Sequence, residues 1–312
     1  MISETNAIMP LNVIWDMETS DPDDLLTLLF LLGHPMVNLK AVTIMPGSTH
    51  QVGLVREALS WFDVDVPVGS FNINHPNECV SYWHYKSYGN IEPSTEAEDA
   101  AQLILSLSDD QTTLITGGPL RNIANAITLG NNTQKPLKAK TIVAQGGFAG
   151  EGVVPEEKQM KKFKGLKTAA TYNLSHHKSA RVVLEHPGIG TKRFVSKNVC
   201  HRVFYDEPLH QKIASLKKKS KSLELIWKGI EKHLYKHPGK PSGPKKIHDL
   251  LAACCAIDPN IGEWKEVNLF WQKGEWGAEL SPGSNTWIII DYNKELFEEI
   301  LMINTCCGLS MD

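Results

Sequence analysis

Cysteine is scarce in this chain: six in 312 residues, too few for a disulfide scaffold. The adjacent pairs Cys254-Cys255 and Cys306-Cys307 also lack the C-x-x-C spacing of a metal knot. No run of about 18 consecutive apolar residues is present, so no helix is expected to span a membrane. The opening segment, MISETNAIMPLN, has neither a basic stretch nor a long apolar one, and no signal peptide is expected. An excess of positive charge is missing too: the formal charge is −3, which gives no global field to recruit nucleic acid. What remains is 42% hydrophobic and 21% charged, the composition of a globular protein with a substantial core. A reducing, cytoplasmic setting is the expectation.

Short apolar runs alternate with amphipathic stretches through about residue 150, the rhythm of a parallel sheet with crossover helices. Strands are expected at 11–15, 40–44, 66–69, 113–116 and 141–144, with helices at 25–32, 54–62, 96–107 and 120–129. Asp21-Pro22 supplies an N-cap and an N1 proline for the first of those helices. The loops after the strands carry Asp16 and Glu18, Pro46-Gly47-Ser48, Gly117-Gly118 and Gln145-Gly146-Gly147. In a parallel sheet these loops share one edge, where open α/β sheets bind ligands. Further on, helices are expected at 175–184 and 247–257 and strands at 193–195, 267–271 and 287–291. A lysine-rich helical region occupies 209–245, helical to 234, and ends in a Pro/Gly loop at 238–244. The fold class is therefore α/β, an open and mostly parallel sheet with helices on both faces, in one domain over 1–312.

The segment Asp16-Met17-Glu18-Thr19-Ser20-Asp21-Pro22-Asp23-Asp24 holds five carboxylates in nine residues, between a strand and a helix. A helix N-terminus tolerates one or two anions through its dipole. Capping explains Asp21, and in part Asp24, but not Asp16 and Glu18 directly after an apolar strand. A hard divalent cation, which takes several oxygen ligands, accounts for all of them. Downstream, His248-Asp249 opens an apolar helix. Alone this pair reads equally well as a helix-start acid beside a surface histidine; with the acidic loop it adds a remote carboxylate and a proton donor. Trp83, in the aromatic stretch 82–88, reads as a loop residue that either stacks on a nucleobase or packs on the surface.

Taken in order, these segments resemble the nucleoside hydrolase family of the inosine-uridine-preferring type. That family begins strand-D-x-D-P-G-x-D-D-helix. Gly117-Gly118-Pro119-Leu120-Arg121-Asn122 is similar to its T-G-P-L-T-N, Gln145-Gly146-Gly147 to its M-G-G, Ala170-Thr171-Tyr172-Asn173 to its A-E-F-N, and His248-Asp249 to its H-D. The resemblance spans 11–259 and implies a Rossmann-like open sheet, one Ca2+ per active site and hydrolysis of the N-glycosidic bond of a ribonucleoside, as in base salvage. It implies that Glu18, Asp24, the Gly117 carbonyl and Asp249 hold the metal, with Asp16 supporting them. Asp23 and Asn173 would bind ribose hydroxyls, Ser48 stands where the family often has Asn, Glu18 would take a proton from water, and His248 would protonate a purine.

Departures are specific. The acidic loop is one residue longer, so either Glu18 or Asp21 is the metal acid. Thr19-Ser20 replaces Pro-Gly, Gln145 replaces Met, and Thr171 replaces a ribose-contacting Glu. Between Gly147 and Asn173 lies an insertion with the basic run Lys158 to Lys167. Two other classes compete: a weakened relative that binds a nucleoside or ribose without turnover, and a metal-dependent phosphoesterase with phosphate-gripping Lys or Arg in its mouth. The expected partner is a small nucleoside, with no nucleic acid and no membrane; a homodimer or homotetramer is left open.

Overall fold

The computed structural model describes residues 9–234 and 243–303. From β1 (Leu11–Met17) the chain runs through α1 (Pro22–Gly33), β2 (Val37–Ile44), α2 (Thr49–Ser60), β3 (Val68–Ser70) and α3 (Tyr82–Tyr88). It continues with β4 (Glu98–Asp99), α4 (Ala100–Leu107), β5 (Thr112–Thr116), α5 (Arg121–Asn132) and β6 (Ala139–Gln145). Next come β7 (Thr168–Ala169), α6 (His177–Glu185), β8 (Ile189–Val195), α7 (Lys197–Cys200), β9 (Phe204–Tyr205), α8 (Glu207–Leu216) and α9 (Lys221–Leu234). The last elements are β10 (Lys245–Lys246), α10 (His248–Ile257), β11 (Gly262–Gln272), β12 (Glu275–Leu280), β13 (Thr286–Tyr292) and α11 (Lys294–Met302).

Eleven strands form one sheet in the order β4-β3-β2-β1-β5-β6-β8-β13-β11-β12-β7. Pairing is parallel from β4 to β13 and antiparallel beyond it. After β1 the chain first builds outward through β2 and β3, then crosses back to add β5 on the other side. The carboxyl ends of β1 and β5 therefore flank the point where the winding reverses, the place where such sheets leave a crevice. Register puts Asp16 between Thr43 and Thr116 at that end.

Both faces of the sheet are covered, which is why its strands read as nearly continuous apolar runs. Val13, Trp15 and Met17 pack with the apolar sides of α1, α2, α8, α9, α10 and α11, whereas Ile14 joins α4, α5 and α6 on the opposite face. This alternation is the period of two expected of a strand. Among the described residues no helix is long and apolar enough to cross a membrane.

Three expectations need correction. The helix expected over 209–234 is two helices, α8 and α9, separated by a 3-10 turn at Lys217–Lys219. Ser220 stops the first from continuing: its hydroxyl accepts the Leu223 N–H at 3.2 Å and so starts α9. The 82–88 stretch is helix α3, capped by Ser81, rather than a loop. Its Trp83 ring packs so closely on α9 that a Cβ at Gly229 would lie 3.0 Å from it. Strand β12 was not expected at all; it pairs with β11 through a turn at Lys273 and Gly274, both at positive φ. The segment 238–242 of the Pro/Gly loop, together with Cys306 and Cys307, lies outside the described residues.

Candidate active site

Beyond β1 the chain turns sharply into α1, and the turn is held by its own acids. The Glu18 N–H donates to Asp24 Oδ1 at 3.0 Å. Asp21 takes an extended N-cap conformation and accepts the Asp23 N–H at 3.3 Å, with Pro22 at the first helical position. Lys245 Nζ sits 2.5 Å from Asp21 Oδ1. Asp21 thus has both a capping function and a cationic partner, and burial does not stop it titrating below the usual carboxylate range, because Asp23 and Lys245 favour its charged form.

Asp23 and Asp24 follow in the first turn and are buried. Asp23 Oδ2 accepts the backbone N–H of His248 at 2.8 Å and that of Asp249 at 3.4 Å. These are the first donors of α10, whose own N-cap residue, Ile247, has no capping side chain. A carboxylate on one helix therefore satisfies the otherwise orphaned N–H groups of another. This joint swings Asp249 into the acidic loop: carboxylate oxygens of Asp23, Asp24 and Asp249 all lie within 4.8 Å of one another.

Gly117, at the end of β5, closes the cluster from the side. A Cβ there would stand 2.8 Å from Asp24 Oδ1 and 2.8 Å from Asp249 Cγ, so any larger residue would displace a carboxylate. Burial, then the charges of its neighbours, pushes Asp24 and Asp249 far above the ordinary range. Burial and Asp21 push Asp23 up to about 7. Lys245 Nζ, 3.9 Å from Asp23 Oδ1, is a cation at the rim. One ammonium cannot balance three clustered carboxylates and Asp21. The donor set, carboxylate oxygens gathered beside Gly117, suits a hard divalent cation.

The other expected residues divide. Asp16 stands behind the cluster, 1% exposed, with Oδ1 accepting from Thr43 at 2.7 Å and Asn122 at 2.8 Å. Its Oδ2 has no partner among the described residues, and burial raises its pKa to about 7. Glu18 lines the cleft, but its Oε2 turns back to Ser20, accepting from the backbone N–H at 2.6 Å and from the hydroxyl. Asn173 lines the cleft with its amide nitrogen tied to Gln145 O at 2.9 Å and Gln145 Oε1 at 2.6 Å. His248 faces the same space, its ring stacked on His201 at 5.0 Å and 6°. Its Nε2 is buried without a partner among the described residues, and burial, with Lys245 next, lowers its pKa to about 4.

Two substrate candidates are not brought to the cleft. Ser48 is the N-cap of α2 in a capping box with Gln51, and its hydroxyl donates to Glu78 O. Trp83 lies in the contact between α3 and α9, stacked edge-on with Tyr88 at 5.6 Å. Conversely, Lys197, His201 and Tyr172 line the cleft without having been singled out. No motif spacing marks Lys197 or His201, since α7 is four residues long. The cleft measures about 360 Å³, a volume suited to a small molecule.

The competing assignments of the loop acid give opposite expectations. We expect Glu18→Gln to cost far more kcat/KM than Asp21→Asn, because both acids line the cleft but Asp21 is already committed to capping α1 and to Lys245, and an amide there still caps. The reverse ranking in steady-state assays would move the functional acid to Asp21.

Comparison with known proteins agrees with the fold. A protein of Aquifex aeolicus (strain VF5), described only as uncharacterized, is 29% identical over 298 residues, covering 91% of this chain and 96% of that one. Among solved structures, an inosine-guanosine nucleoside hydrolase superposes with a TM-score of 0.68 at 20% identity, over 94% of this chain and 98% of its own. A purine-preferring ribonucleoside hydrolase from Gardnerella vaginalis gives 0.66 at 16%, over 94% and 97%. The profile of the family described as inosine-uridine preferring nucleoside hydrolase matches residues 13–299, most of the chain, and the chain belongs to that family of N-glycosyl hydrolases.

Proposed function

We propose that this cleft hydrolyses the N-glycosidic bond of a ribonucleoside, giving free base and ribose, with one Ca2+ held by Asp24, Asp249, the Gly117 carbonyl and Glu18. The convergence of three buried carboxylates, two of them packed against Gly117, carries the reading. When bound, the cation supplies the charge that orients and acidifies a water and the ribose diol. The protein does the rest. Asn173, fixed by Gln145, presents its remaining polar groups to a sugar hydroxyl without losing rotamer freedom, and Asp23 offers Oδ1, its other oxygen being tied to α10. Glu18 is the acid placed to accept the water proton. The anionic wall favours the positive charge that develops on the sugar as the base departs. His248, with its unpartnered Nε2, faces the leaving group. Incubation with a panel of nucleosides tests the reaction class: free base and ribose support it, and no product from any of them removes it.

Metal should also be visible in stability. Unfolded, Asp16 and Asp23 ionise near about pH 4, whereas folded they do so near about 7. Between those values the unfolded chain binds fewer protons, so the metal-free protein loses stability as pH rises. A cation in the acidic cluster offsets that loss. Saturating Ca2+ should therefore raise Tm by roughly 5 °C or more near neutrality, and by less in mild acid, where the ligands hold protons. Equal Tm gains at pH 5.5 and pH 7.5 would place the ion elsewhere.

A further inference from the structure

On the side of the cleft marked by the stacked His201 and His248 the charge changes sign. Lys162, from the inserted basic run, has Nζ 2.6 Å from His201 Nδ1. Lys197 lines the cleft and donates to Ala170 O at 2.7 Å. Lys246 precedes His248 by two positions. Neighbouring lysines have acidic partners: Lys158 pairs with Glu263 and Asp291, and Lys245 with Asp21 and Asp23. Among the described residues no carboxylate is within ion-pair reach of Lys162, Lys197 or Lys246. The three are close enough to oppose one another, since burial and then Lys246 and Lys197 lower the Lys162 ammonium. Next to Ala170, the Thr171 hydroxyl lines the cleft, in a residue only 8% exposed, with no hydrogen-bond partner among the described residues.

Donor atoms of Cys200, His201 and His248 also come within 4.8 Å of one another, which suggests a second cation. The surroundings oppose it. Cys200 is wholly buried, its thiol is pushed up to about 12 by that burial, and the lysines repel a positive ion. Ammonium groups without a carboxylate partner among the described residues, beside an unsatisfied hydroxyl, call for an anion instead.

We infer that the cleft takes a nucleoside bearing an anionic group, a phosphate or a carboxylate, held by Lys162, Lys197, Lys246 and the Thr171 hydroxyl. The inference rests on the nucleoside reading above and adds the substrate's charge. The cleft is then bipolar, with acids at one end for a metal and sugar diol and lysines at the other for the anion. Thr171 stands where the family pattern has a glutamate, so an acid is missing just where it would repel that anion.

Calorimetry with uridine, uridine 5′-monophosphate and orotidine, in the presence of Ca2+, tests the subsite on one base. At least one anionic ligand should bind about tenfold or more tighter than uridine, the value of a charge-assisted hydrogen bond, and the gain should shrink with added salt. A preference for the 5′-monophosphate puts the anion on the sugar, and one for orotidine puts it on the base. In the double variant Lys162→Gln/Lys197→Gln the ratio of anionic to neutral affinity should fall toward one. Equal affinities for all three ligands, or a ratio unchanged in the variant, overturn the subsite. Base release is scored separately: turnover of uridine without an anionic preference would leave the hydrolase reading standing and the subsite refuted. Release of inorganic phosphate in place of base would do the opposite.

Discussion

Asp249→Asn is expected to abolish Ca2+ binding and lower kcat/KM by about 10³-fold, while making the metal-free protein more stable. The first two effects follow from removing one charged oxygen from a cluster that Gly117 holds closed against replacement ligands. Removing one partner of a buried ionic arrangement costs about 4 kcal/mol, which is about three powers of ten in rate. The third effect comes from the same crowding. Burial and the charges of Asp23, Asp24 and Glu18 press on the Asp249 carboxylate, and an isosteric amide relieves that pressure without emptying space. The backbone N–H of residue 249 still reaches Asp23 in the variant, so α10 keeps its cap. A merely structural Asp249 would give the opposite sign, with Tm falling with or without calcium. Retained Ca2+ affinity by calorimetry would refute the ligand assignment outright.

The second large effect separates leaving-group chemistry from metal and sugar binding. His248→Ala should lower kcat on purine nucleosides by about 10²-fold, the lower end of the range for a positioned acid, and leave KM nearly unchanged. The lower end is chosen because the ring is held neutral: burial and Lys245 bring its pKa to about 4. A neutral imidazole still carries one N–H, which can bond to a departing base without full proton transfer. The wild-type rate on purines should accordingly show no loss with a midpoint near 6.5 as pH rises from 5.5 to 8, as a protonated surface histidine would give. On a nitrophenyl riboside, whose leaving group departs without a proton, mutant and parent should react at similar rates. Equal losses on both substrates would make His248 a brace for Asp249 and end its role at the base.

Much of this site could be read from the chain because its chemistry is concentrated. An apolar strand that ends in Asp16 and Glu18, followed by Asp21-Pro22 and a capped helix, has few physical explanations, and the structure places Asp21 at the cap. The ordered glycine pairs mark the ends of β5 and β6, and at Gly117 close packing against Asp24 and Asp249 leaves no room for a side chain. What local pattern could not supply was partnership at a distance. Trp83 reads as either a base-stacking or a surface-packed residue until α9 arrives beside it from more than a hundred residues away. Ser48 occupies a strand-end loop, yet its hydroxyl is committed to α2 and Glu78. The break between α8 and α9 rests on one serine in a lysine-rich stretch whose period remains helical on both sides. Lys197 and His201 have no motif at all; they reach the cleft because β8 ends beside β6.

The bond from Asp23 to the first N–H groups of α10 joins residues 225 positions apart. Order of assembly follows from it. As the polypeptide leaves the ribosome, the acidic loop, β1, β5 and Gly117 are all made early, but the lysine at the rim and the third carboxylate are made only from residue 245 onward. Until then the N-terminal half carries an anionic hollow with no counter-charge and an unclaimed carboxylate at Asp23. Long-range closure of this kind is slow relative to local structure. A cation at this cluster would thus be captured only once α10 has docked on the acidic loop, by both halves of the chain together.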